Sequence, residues 1–345
     1  MGSLLALAVV ASGAVAAWIY RAELLETFDL GPEPAPSAAS PGPTAGPTTS
    51  PEPGRSPTPP RKGRLLIHGT GDVNLDPSYI PNLPANGYGY AWSGLRGLFR
   101  DDDLTVINLE CAVSDLGSPV PKEFNFRCDP AALPPARRSG VDVANLANNH
   151  SGDYGSEALL DSRRRLLEAG IAPVGVGRNE AQAARPAIVE VKGWRIAVLG
   201  FGGVIPAADW IAGESSPGMA DGDSIESMTR AVSAAKRRAD LVIVTVHWGA
   251  ELETTPTPDD VERAHAMIDA GADAIFGHHA HRLQPLEHYR GKPIAYGLGN
   301  FVWPNFSIEG STTAVARVVV TPDGRVRGRL VPAFIEDAGH PVLLD

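Results

Sequence analysis

Gly277-His278-His279-Ala280-His281 closes an apolar run, residues 272–276, whose length and composition read as a buried strand. Three imidazoles within four residues are costly to bury unless a site uses them. On an extended backbone residues i and i+2 face the same way, so His279 and His281 are expected to present two ring nitrogens to one point. That is how neutral imidazoles hold a metal. His278 is expected to point away from its two neighbours.

Outward from this stretch, further strand-like runs recur at 64–68, 105–109, 141–147, 171–176, 194–201, 241–247 and 293–298. Helical spacing lies between several of them, at 156–169, 224–238 and 258–270. This alternation predicts an α/β domain with central sheets. Two runs at 312–320 and 325–334, parted by Pro322-Asp323-Gly324, predict a C-terminal β-hairpin.

In open α/β sheets ligands collect beyond the carboxyl ends of the strands. Asp72, Glu110, Asn149 with His150, His247, and His279 with His281 all fall at such ends. Each has an ordinary explanation alone, as a turn residue, a solvated carboxylate or an edge histidine. Their joint placement points to one shared metal site. Carboxylate, amide oxygen and imidazole together suit Mn, Fe or Zn better than Ca or Mg, and no thiolate motif suggests structural zinc. The set exceeds what one tetrahedral ion needs; two ions about 3.5–4 Å apart, bridged by a carboxylate, would use it.

Ahead of the body, residues 1–20 hold an apolar run from Leu4 to Ile19, which reads as a membrane anchor or, given Ala14-Val15-Ala16, a cleaved export signal. Residues 21–63 are rich in Pro, Ser and Thr, and about a third of residues 31–60 are proline, the composition of an extended spacer. Residues 64–345 form the body. This layout predicts a protein of the cell membrane whose body is extracytoplasmic, or secreted if the segment is cleaved. The net charge of −10 argues against nucleic acid as a partner. Cys111 and Cys128 are too few for a disulfide framework; they pair if the body is exported and are otherwise small core residues. His68, alternating with Leu65 and Ile67, reads as a core residue.

Taken together, Gly71-Asp72-Val73, Asn108-Leu109-Glu110, Phe124-Asn125-Phe126-Arg127, Leu146-Ala147-Asn148-Asn149-His150, Val246-His247-Trp248-Gly249-Ala250-Glu251, the opening pentapeptide and Tyr296-Gly297-Leu298-Gly299-Asn300-Phe301 resemble the CapA-type poly-gamma-glutamate biosynthesis proteins. That family is related to the calcineurin-like metallophosphoesterases. The resemblance implies a four-layer α/β/β/α sandwich holding two divalent ions. It assigns Asp72 and His281 to one ion, Asn149, His247 and His279 to the other, and Glu110 as the bridge. It puts His150 at the substrate as general acid, with Arg127 against a phosphate or carboxylate. Asn74 stands where the wider superfamily has a histidine ligand, and is either a weak ligand or a turn residue. The implied role is in making or exporting an anionic poly-gamma-glutamate capsule, with the membrane and the synthase or export components as partners. Three activities remain open: a phosphoesterase, a non-catalytic accessory subunit, or a metal-dependent amide hydrolase acting on the polymer.

Overall fold

The computed structural model describes residues 61–344. The apolar segment 1–20 and all but the last three residues of the spacer lie outside them. Among the described residues no helix is long and apolar enough to cross a membrane.

Two mixed sheets stack face to face. The first runs β16 (His340–Leu343), β15 (Val326–Asp337), β14 (Thr312–Val320), β1 (Leu65–Val73), β2 (Leu104–Leu109), β3 (Val143–Asn145) and β4 (Ala172–Val174), with β13 (Asn300–Val302) beside the end of β1. The second runs β11 (Leu286–Tyr289), β12 (Lys292–Ala295), β10 (Ala274–His278), β9 (Leu241–His247), β7 (Trp194–Gly202) and β6 (Ala187–Val191). A small ribbon pairs β5 (Val176–Gly177) with β8 (Gly218–Met219). Helix α1 (Gly155–Glu168) lies outside the first sheet; α2 (Ile225–Lys236) and α3 (Pro258–Asp269) lie outside the second.

Three apolar clusters match the three interfaces of a four-layer stack. Leu65, Ile67 and Val106 of one sheet meet Ile196, Ile243 and Phe276 of the other. Ile107, Leu109 and Leu166 fill the space under α1, and Val242, Val244, Met228 and Met267 that under α2 and α3. The sandwich expected from the sequence is therefore the one found. At Gly69 a Cβ would stand 2.5 Å from the Phe276 ring, so only glycine allows the sheets to close there.

The strand boundaries differ from the sequence reading in one instructive place. β1 continues past residue 68 to Val73, because its second half pairs with both β2 and β13. Asp72 thus sits within a strand instead of after one. The C-terminal hairpin is present as β14 and β15, joined by a third antiparallel strand, β16.

Cys111 and Cys128 are disulfide-bonded, and Cys128 Sγ also accepts the Leu75 N–H at 3.0 Å. The bond closes the loop that carries Lys122 and Arg127. A Cys111→Ser/Cys128→Ser variant is expected to lose roughly 3 kcal/mol of stability, seen as a melting temperature roughly 5–10 °C lower. An unchanged melting curve would contradict that role.

His68 is buried as expected but polar in company: Nδ1 donates to Asp102 Oδ2 at 2.7 Å and Nε2 accepts from Arg317 Nε at 3.1 Å. Burial, then the Arg317 and Arg329 charges, push its pKa down from 6.5 to about 3. A folded pKa below the unfolded one means that the unfolded chain binds the extra proton between those values. The His68 contribution to stability is expected to fall as pH drops from about 6.5 toward about 3, against an opposite trend from Asp102, whose burial raises its pKa to about 7, and His68→Gln should remove the first of these from a urea-midpoint-versus-pH curve.

Candidate metal centre

The carboxyl ends of β1, β2, β9 and β10 converge at one pole. Asp72 is the last residue but one of β1, Glu110 follows β2, His247 ends β9, and His279 and His281 follow β10. Glu110, His247 and His279 can place one ligand atom each within 4.8 Å of one another, and so can Asp72, Glu110 and His281. Glu110 belongs to both groups. A third group joins Glu251 to His279 and His281, so Glu251 is itself a candidate ligand through its exposed carboxylate. Asn149 Oδ1 lies 2.9 Å from His247 Nε2. All six residues implied as ligands are thus in one cluster.

How the two histidines arrive differs from the extended-strand expectation. β10 ends at His278; His279 and His281 have φ of 89° and 51°, so a left-handed turn aims both rings. Such backbone is uncommon for non-glycine residues and is held here by partners: the His279 N–H donates to Asp72 Oδ2 at 3.3 Å. His281 Nδ1 lies 2.8 Å from Asn300 Oδ1 and 3.1 Å from Asp72 Oδ2. With that nitrogen donating, Nε2, 3.8 Å from Glu110 Oε1, is left to bind. His278 does not point away into the core alone; it bonds Thr245 Oγ1 through Nε2, with Nδ1 3.6 Å from Asp72 Oδ1.

Burial shapes the electrostatics of this cluster. Both Glu110 carboxylate oxygens and Nδ1 of His278 and His279 are buried with no hydrogen-bond partner. Burial, then the charges of Asp72 and Glu251, push the Glu110 pKa well above the carboxylate range. Burial likewise lowers His247 far below its ordinary value and His279 to about 4. Burial also opposes charge at Asp72 and His281, but their mutual hydrogen bond holds the carboxyl below its usual value and the imidazole above. A buried carboxylate with two empty oxygens beside imidazoles kept neutral fits a divalent ion.

His150 stands next to this cluster without belonging to a ligand group. Its Nδ1 is 2.7 Å from Asp153 Oδ2, and its ring lies 4.3 Å from that of Phe126. Lys122 Nζ donates to Asp153 Oδ1 at 2.7 Å and to the Asn149 carbonyl at 2.5 Å. Arg127 is held from one side, with its Nε buried and without a partner. Its Nη2 donates to the carbonyls of Leu116 and Gly117, and its guanidinium stacks 3.7 Å from the Tyr154 ring centroid. Asn74 takes the turn role, its Oδ1 accepting the Asp76 N–H at 2.8 Å.

Sequence reasoning passed over Asn108, the hub behind the ligands. Its Nδ2 donates to Asp72 Oδ1 at 2.9 Å and lies 3.1 Å from His247 Nδ1, while Asn145 Nδ2 donates to its Oδ1. An asparagine two residues before Glu110 was the available signal. Asn300 was visible only as a member of a motif, with no role attached.

Fold and site together define a two-sheet sandwich with a histidine- and carboxylate-lined centre at its strand ends. The chain belongs to the bacterial capsule synthesis protein (PGA_cap) family, whose model matches residues 67–305. It is 33% identical over 266 residues to a Mycobacterium tuberculosis protein named "Probable polyglutamine synthesis accessory protein", covering 73% of this chain and 69% of that one. It is 32% identical over 244 residues to the PGA biosynthesis protein CapA of Bacillus subtilis, covering 70% and 64% of the two chains. Among solved structures it is similar to the sulfate thiohydrolase SoxB of Thermus thermophilus, at 16% identity and a TM-score of 0.45, over 79% of this chain and 57% of that one.

Proposed function

We propose that this protein is a metal-dependent hydrolase of the cell envelope, acting in the synthesis or export of a glutamate-based capsule polymer. The observation that carries the hydrolase reading is Glu110: fully buried, joined to two ligand groups, and with both oxygens unpartnered. The polymer is suggested by the names of the relatives. Asp72, Glu110 and His281 would hold one divalent ion, and Glu110, Asn149, His247 and His279 a second, of Mn, Fe or Zn. Bound there, such ions supply Lewis acidity for a phosphoryl or carbonyl oxygen and lower the pKa of a coordinated water.

The chain's own residues do the rest. Asn108 and Asn300 fix the carboxylate and rings so that no ligand must reorganise. Asp153 orients His150 through Nδ1, leaving Nε2 to pass a proton to a leaving oxygen or nitrogen. Lys122 locks Asp153 and the Asn149 carbonyl together, so acid and ligand keep one spacing.

Residues 1–20 tether the body to the membrane and the spacer lets it stand clear; the disulfide favours an extracytoplasmic body, since such bonds persist in oxidising compartments. The test is metal content and turnover of the purified protein. Near two equivalents of transition metal, with hydrolysis of bis(p-nitrophenyl) phosphate or of a γ-glutamyl amide, is the expected result. Full metal with no turnover on either substrate would favour the accessory-subunit reading, which the name of the mycobacterial relative supports.

A further inference from the structure

A second place on the molecule has the marks of a binding site, and none of the six ligand residues lines it. A groove of about 1100 Å³ runs between α2, the short helix Glu180–Ala183 and the edge strand β6. Its volume exceeds the roughly 300–1,000 Å³ of small-molecule pockets. Five arginines line it, Arg185, Arg195, Arg230, Arg237 and Arg238, in a chain whose net charge is −10.

Two of the five are ion-paired. Arg195 pairs with Glu190, and Arg230 reaches Glu226 at 3.3 Å and Glu180 at 3.5 Å. Arg185, Arg237 and Arg238 make no side-chain hydrogen bond or ion pair to any described residue, although three carboxylates, Glu180, Glu214 and Asp221, also line the groove. At the Arg185 end the clustering continues. Arg163 has its Nε buried without a partner, and beside its burial the charges of Arg178 and Arg185 depress its pKa.

The layout selects among anions. Arg230 lies on α2 and Arg237 caps its C-terminal end seven residues on, two turns along one face, hence roughly 10 Å apart along the groove. Between the cations the floor is aliphatic, with Ala181, Ala184, Ala231, Ala234 and the exposed Ile188. The groove's aromatic residue, Phe201, is 1% exposed, so bases of a nucleic acid find no stacking platform. Spaced guanidinium groups over an aliphatic floor suit a chain that carries carboxylates on a methylene-rich backbone. Asp221, at one end, bridges to Gly202 of β7, which is in register with the ligand residue His247. The Asp221 side of the groove therefore adjoins the strand end beside that ligand.

We propose that this groove binds an acidic polypeptide, a polycarboxylate chain, and holds it alongside the metal centre. The choice of polymer rests on the capsule reading above; the groove's affinity does not depend on the metal chemistry. The test is fluorescence anisotropy of labelled poly-γ-glutamate titrated with the full chain in detergent, beside Arg185→Gln/Arg237→Gln/Arg238→Gln and beside Glu110→Ala. The triple variant is expected to bind about tenfold more weakly, with metal content and hydrolysis of bis(p-nitrophenyl) phosphate unchanged, and the parent's affinity should fall steeply with salt. Glu110→Ala should bind the polymer as the parent does. Three results would each overturn the proposal: no binding by the parent, undiminished binding by the triple variant, or loss of binding only in Glu110→Ala. Tighter binding of polyphosphate of matched charge would overturn the choice of a carboxylate ligand. Because metal and turnover are read separately, failure of the groove and failure of the hydrolase reading are told apart.

Discussion

Glu110→Met is expected to remove bound transition metal while making the metal-free protein more stable. Both halves follow from one fact, that the carboxylate is fully buried with two unpartnered oxygens. Methionine has similar length and no charge, so it relieves the desolvation of an unpaired group, worth about 1–3 kcal/mol. The gain has a pH signature. Burial and the neighbouring charges of Asp72 and Glu251 raise the folded pKa of Glu110 far above the unfolded value of 4.5. The folded state then prefers the protonated acid, and its penalty grows as pH rises above 4.5 toward the folded pKa. Metal-free Glu110→Met should match the parent near pH 4 and melt several degrees higher near pH 8. With Mn²⁺ added the order reverses, because binding stabilises only the parent. A variant less stable than the metal-free parent at alkaline pH would mean that Glu110 is a structural acid.

How much of this was legible depends on what kind of physics each feature obeys. Layer order was readable because burial imposes a period: Leu65 and Ile67 alternate into the inter-sheet core, and α1, α2 and α3 lie within two residues of their sequence-derived ends. β6 and β11 were not readable. Both are edge strands whose sequences, Ala187–Val191 and Leu286–Tyr289, carry no buried alternation strong enough to stand out.

The ligand set was legible by residue type, its geometry was not. The sequence argument for His279 and His281 assumed an extended backbone, whereas positive φ at both residues aims the rings. The pairing comes out the same because Asp72, brought from over two hundred positions away, fixes the turn. Long-range contacts of that kind leave no local pattern. Asn108 was hidden for a related reason: an asparagine that serves two ligands at once looks, in one dimension, like any polar residue at a strand end. Arg127 shows a related point. A cation in a motif suggested an anion contact, and nothing in one dimension announced that the Leu116 and Gly117 carbonyls and the Tyr154 ring would hold one edge of its guanidinium while Nε stays without a partner.

His150→Ala is expected to lower turnover by about 10²–10⁴-fold with metal content intact, since the residue lies outside every ligand group. A loss of metal instead would reassign it as a ligand. The sharper test uses its two neighbours. Burial lowers the His150 pKa, Asp153 opposes that through its hydrogen bond and charge, and Lys122 adds to it. A proton donor must be protonated to act, so the rate should fall as pH rises through the His150 pKa. Asp153→Asn removes the raising influence and should move that alkaline limb to lower pH. Lys122→Met removes a lowering influence and should move it to higher pH. Both substitutions disturb the same three-residue contact, in which Lys122 Nζ lies 3.3 Å from His150 Nδ1 and 2.7 Å from Asp153 Oδ1, so a purely structural role predicts two similar losses of rate and no opposed shifts. Opposite displacement of the two profiles is the outcome that electrostatic control of one proton requires, and a common displacement would remove His150 from the proton path.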